Sequence, residues 1–196
     1  MKLLRLLPFS TAVALGALLP TRASAHLVNN NVGEFYAGMM HPLTSAEHLL
    51  PTLALALLAI QCGKRAARAT LLVFPMTLLV GALAGSRLPP FAFFHVANLM
   101  ALVGLGGLLA LGDRLGRISL AAMGALALLT GSILGYRSGI DMAASKVAAQ
   151  FIPGVAFMGL IVVALVAAWV PVASSRTGRT LRTLAGAGFA VAGTVC

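Results

Sequence analysis

Uninterrupted apolar runs recur along this chain, and only short basic segments separate them. About 20 apolar residues suffice to cross a bilayer as a helix. Of the 196 residues, 60% are hydrophobic and 9% charged, whereas a water-soluble domain carries about a quarter charged residues. There is too little polar surface here to coat a water-facing globule. The runs are continuous and rich in Leu, Ala and Gly, which excludes the strict alternation of a membrane β-barrel. The expected fold is all-α: a polytopic transmembrane helical bundle.

The first residues read differently. Lys2 and Arg5 precede a short apolar stretch, Leu6 to Leu19, and then the small-residue triplet Ala23, Ser24, Ala25. That is the pattern of a cleaved signal peptide. Residues 1–25 are assigned to this leader and 26–196 to a single transmembrane domain. The mature chain then starts at His26, where a free amine beside an imidazole can chelate a metal. Residues 27–40 are expected as an exposed lead-in that becomes interfacial, with Phe35 and Tyr36 at headgroup level. About six spans follow, at roughly 41–60, 70–86, 91–112, 118–136 and 149–171, with a short last one ending at Cys196. The turn at 113–117 is tight, and 137–146 is the longest of the later loops.

Net charge is +10. Placing the lead-in outside puts Lys64, Arg65, Arg68, Arg114, Arg117, Arg176, Arg179 and Arg182 in inner loops, against Arg87, Arg137 and Lys146 outside. Inner loops of membrane proteins carry the excess of Lys and Arg. The basic residues thus encode orientation, not nucleic-acid binding, and agree with the leader. They predict a multi-pass protein of the bacterial inner membrane with a periplasmic mature N-terminus. Cys62 and Cys196 fall on opposite sides, so no disulfide joins them. Gly81 with Gly85, and Gly131 with Gly135, have the spacing that lets helix backbones approach closely, and Gly104, Gly106 and Gly107 crowd the third span. Such faces serve a compact bundle or a homo-oligomer equally.

The first span opens on polar residues. Treated as one helix, His41, Ser45, His48 and Thr52 share a face, and Glu47 lies at its edge. Ionisable residues inside a membrane normally face protein and mark an ion or substrate path. Imidazole with carboxylate suits borderline divalent metals such as Zn, Ni, Co or Cu. In a straight helix, however, His41 and His48 are about 10.5 Å apart along the axis. Either other helices complete two separate sites, or the histidines are successive stations, or Pro42 and Pro51 bend the segment. His95 and Asn98 share a face near the outer end of span three, Asp141 lies in an outer loop, and Gln150 opens span five. The expected metal ligands are His41, Glu47, His48 and His95.

The stretch GEFYAGMMHPLTSAEHLLPTLALALLAIQCGKRA, residues 33–66, resembles the first-span signature of the HupE/UreJ family of nickel permeases and hydrogenase or urease accessory proteins. The family pattern is His-Pro, five residues, then Asp-His after a signal peptide. Here it stands as His41-Pro42 and Glu47-His48. The resemblance extends through VFPMTLLVGALAG, residues 73–85. A second family motif, Phe-His-Gly-x-Ala-His-Gly-x-Glu, corresponds to residues 129–137. Gly131 and Gly135 hold their places, Thr130 and Leu134 stand for the histidines, and Arg137 stands for the glutamate.

The resemblance implies a permease for a divalent transition metal, with Ni2+ ahead of Co2+, supplying hydrogenase or urease maturation. Thr130 and Ser132 would line the altered second site, and the metal is cargo, not a permanently bound cofactor. The alternative is a non-transporting accessory or scaffold protein of the same family with a vestigial outward-facing metal site. An intramembrane serine hydrolase is disfavoured, because Ser132 has only His95 as a candidate base beyond the first span. No enzymatic activity is expected.

Overall fold

The computed structural model describes residues 31–91, 93–111, 118–147, 149–168 and 176–195. The leader 1–25, His26 and the turn at 113–117 lie outside them. The described chain forms seven α-helices: α1 (Asn31–Thr44), α2 (Ala46–Gln61), α3 (Lys64–Gly85), α4 (Phe93–Leu111), α5 (Leu120–Ser145), α6 (Phe151–Ala168) and α7 (Arg176–Val195). Four of them, α3 to α6, are long and apolar enough to cross a membrane, and α1 with α2 makes a fifth if that bent pair is one span. The all-α multi-pass bundle stands, with a span count near the expected six. The chain is a membrane protein: Leu72, Met76 and Val80 on α3, Met100 on α4, Leu129 on α5 and Leu165 on α6 are large, apolar and exposed. Apolar side chains turned outward on several helices are what lipid permits and water does not.

α2 is the centre of the bundle. Ala54, Leu55, Ala56, Leu58 and Ala59 are at most 2% exposed, so the helix is enclosed nearly all round. α3 and α5 pack against it and along each other. They run parallel, with Leu78 opposite Gly135 and Ala82 opposite Gly139. A Cβ added at Gly135 would collide with the Leu78 carbonyl, so the two backbones touch where side chains normally stand. The glycine pairs of spans two and four therefore meet each other. In α4 only Gly106 meets a neighbour, α7; Gly104 and Gly107 have nothing near their missing Cβ.

The structure corrects two expectations and settles a third. Residues 31–40 are not merely an exposed lead-in but helix α1, packed antiparallel to α6, with Phe35 on Phe157. For the first span, the bend left open at Pro42 is realised: α1 and α2 meet at 74°. Finally, 137–146 is not a loop. α5 continues to Ser145 and stops where Lys146 takes a left-handed conformation, φ 55°. Gly139 continues the ridge of Gly131 and Gly135 against α3, so the packing that holds the helix does not end at Tyr136. The last helix likewise starts at Arg176, earlier than expected, so Arg182 lies on the helix and not before it.

Candidate metal centre

The site is built on the α1–α2 break. Pro42 is inside α1, and its ring offers no N–H to the preceding turn. Ser45 then leaves helical geometry, with φ −104° and ψ 112°, and becomes the N-cap of α2. An N-cap serine usually spends its hydroxyl on a backbone amide of the first turn. Ser45 instead places Oγ 3.0 Å from Nδ1 of His48. The bend turns His41, near the end of α1, back over His48 in the first turn of α2. Their ring centroids are 4.7 Å apart, and His41 also packs edge-on against Phe151 of α6.

His48 is buried, at 2% exposure. Ser138 of α5 approaches its other nitrogen, Nε2, at 3.1 Å, while the Ser138 hydroxyl donates to Leu134 O at 3.0 Å. With that proton spent on Leu134, Ser138 accepts from Nε2–H, and the Ser45 hydroxyl donates to Nδ1. The ring is therefore held by two hydroxyls from two different helices, and an ion taken at Nδ1 would displace the Ser45 hydroxyl while Ser138 keeps the ring oriented.

Asp141 completes a triad. Its Oδ2 stands 3.5 Å from Nε2 of His41, too long for a good hydrogen bond. Nε2 of His41 is buried and has no hydrogen-bond partner. One ligand atom from each of His41, His48 and Asp141 lies within 4.8 Å of the others. Donors on one tetrahedral ion stand about 3.4 Å apart, so side-chain rotations that move these atoms by about an ångström would bring them onto one ion. Two nitrogens and one carboxylate oxygen suit a borderline divalent cation. Among the described residues, this is the group of three or more such side chains able to hold one.

The other expected ligands sit beside the triad and not in it. Glu47 accepts from Arg137 Nη2 at 2.8 Å. Arg137 Nη1 lies 3.2 Å from Nδ1 of His95, and since guanidinium can only donate, His95 accepts. Arg137 thus ties α2, α4 and α5 together next to the triad. The remaining hydroxyls of the polar face are used locally: Thr52 donates to His48 O at 2.8 Å, and Thr44 to Met40 O at 3.1 Å. Tyr136 anchors this end of α5, donating to Pro89 O at 2.7 Å and stacking on Phe94 at 3.9 Å between centroids.

Asn98 has a separate task. Pro51 has no N–H to give to the carbonyl of Glu47 one turn earlier. Asn98, at 2% exposure, supplies the missing donor from α4, with Nδ2 3.0 Å from Glu47 O.

Sequence reasoning assigned Asp141 to a loop and so missed it as a ligand. Glycine at 131, 135 and 139 was the available signal, because that period carries the helix past residue 137. Ser138 follows from the same extension. Ser45 was placed on the polar face, but its break was not visible in a helical pattern.

The family model for HupE / UreJ protein matches residues 13–196. No curated protein and no solved structure gives a significant match. The match reaches well past the first-span signature, through every helix described above, and the chain belongs to the HupE/UreJ family.

Proposed function

We propose that this protein is a membrane permease for a divalent transition metal, nickel before cobalt, that captures the ion at His41, His48 and Asp141. The observation that carries the reading is the buried Nε2 of His41, which has no hydrogen-bond partner and faces a carboxylate and a second imidazole. A polar atom left unserved in a buried cluster costs free energy unless something binds it. Membership in the HupE/UreJ family supports nickel or cobalt as the cargo. The basic loops favour an orientation with this end of the bundle outside, in the bacterial inner membrane, so that capture is from the periplasm. Movement would follow from opening helices already broken at Ser45 and interrupted by Pro51 and Pro75.

A second reading is a non-transporting accessory protein that holds metal at its outer face. The arginine bridge from Arg137 to Glu47 and His95 favours it, because a fixed cation stands beside the triad. Uptake of radioactive nickel by cells expressing the chain separates the two. Uptake above an empty vector that His48→Ala abolishes supports the permease. Uptake equal to the vector, with Ni2+ still bound by the purified protein, supports the accessory role.

A further inference from the structure

The titratable side chains at this end of the bundle fall into two groups. His41, His48 and Asp141 gather around a partnerless nitrogen. Glu47 and His95 gather around a cation, and that cation is part of the chain. A carboxylate oxygen and an imidazole lone pair converge on the guanidinium of Arg137, at 2.8 and 3.2 Å. Both are metal-type donors. Asn98 adds a third. Its Nδ2 is committed to the Glu47 carbonyl, which fixes the amide orientation, and Oδ1 is then buried with no partner in a residue 2% exposed. His95 and Asn98 are three apart on α4 and so share a face.

We propose that Glu47, His95 and Asn98 form a second divalent-cation station, which the chain keeps filled with the guanidinium of its own Arg137. This goes beyond the triad reading and does not depend on it.

The arginine is an imperfect occupant. Its Nε is buried and has no hydrogen-bond partner, whereas a structural arginine pair normally uses its fork in full. A cavity of about 300 Å³ lies directly against it, lined by Phe94, His95, Arg137, Ile140 and Asp141 among others. The cavity gives the guanidinium a place to move. Asp141, one helical turn along α5, gives it an alternative carboxylate. While Arg137 stays on Glu47, its charge bars a second metal ion from this station and leaves the triad, among the described residues, to bind one.

The test is Ni2+ equilibrium dialysis on the full chain purified in detergent, in a background carrying His41→Ala and His48→Ala, so that the triad contributes nothing. Adding Arg137→Gln is expected to create binding of one Ni2+ per chain. Adding His95→Ala as well is expected to remove it. Arg137→Lys, which keeps the charge, is expected to create none. Where the double-histidine background does not fold, the same substitutions in the otherwise unaltered chain are read as a rise of one ion per chain. No gain from Arg137→Gln in a protein with the parent's helix content overturns the proposal. So does a gain that survives His95→Ala, or one produced equally by Arg137→Lys. Loss of Ni2+ binding on His48→Ala alone reports on the triad and leaves this outcome independent of it.

Discussion

His41 and His48 face each other with ring centroids 4.7 Å apart, although seven residues of straight helix would separate them by about 10.5 Å. The 74° bend between α1 and α2 is the whole difference. It turns two separate positions on one helix into two donors of one cluster, and Ser45 holds both the bend and the second ring.

Ser138→Ala removes the hydroxyl that accepts from Nε2 of His48 and so turns Nδ1 toward the ion. Partners that orient a ligand typically contribute a factor of about 10 to 100 in metal affinity. Ni2+ affinity by dialysis should fall within that range while helix content by circular dichroism is unchanged. Unaltered affinity would remove Ser138 from the site.

Asp141→Asn keeps shape and removes charge. The side chain is 43% exposed, so the effect on stability should stay within about 0.5 kcal/mol, as at most surface positions. Ni2+ affinity should fall at least tenfold, because the single anionic donor of the triad is gone. A Tm shift with no change in affinity would contradict the assignment.

Gly135 and Gly104 make a contrast. A side chain at Gly135 meets the Leu78 backbone, which cannot step aside. Gly135→Leu should destabilise by about 1–3 kcal/mol or more, the range for overpacked interiors. A Cβ at Gly104 meets nothing, so Gly104→Ala should be neutral or gain about 0.5–1 kcal/mol from reduced chain entropy. Thermal unfolding in detergent measures both, and equal effects would mean that α3 and α5 do not touch as described.

Asn98 and Pro51 should be coupled. Asn98→Ala strips the donor from the buried Glu47 carbonyl and should cost about 1–3 kcal/mol. Pro51→Ala restores a backbone N–H in the same place. In the double variant the cost of losing Asn98 should shrink, and a double-mutant cycle reads the difference as an interaction energy. Strict additivity would refute the replacement of one donor by the other.

Cys62 follows α2 at the opposite end of the bundle, half-buried. Burial pushes its thiol pKa above the ordinary value, because burial penalises the thiolate. The thiolate is the reactive form. In a Cys196→Ser chain, maleimide labelling at neutral pH should therefore be slower than for a free thiol, and should keep rising with pH past the point where a free thiol levels off. With the orientation proposed above, a membrane-impermeant maleimide should leave Cys62 unlabelled in intact cells. Rapid labelling from outside would invert the topology.

Much was legible without coordinates. Hydropathy alone required a helical membrane bundle, because in lipid every backbone group must be satisfied within helices or a closed barrel. The glycine spacing marked spans two and four as faces of close approach, though not that they meet each other, and His41 and His48 were visible as a polar face. What sequence could not reach was which polar side chains meet. Residue spacing fixes neighbours only while a helix stays straight, and the decisive events here are a break at Ser45 and a continuation past Tyr136. The break joined His41 to His48; the continuation, driven by Gly139 against Ala82, brought in Asp141 and set Arg137 upon Glu47. Local composition determined that this chain enters a membrane, and packing between helices distant in sequence decided which donors converge and which are held by an arginine.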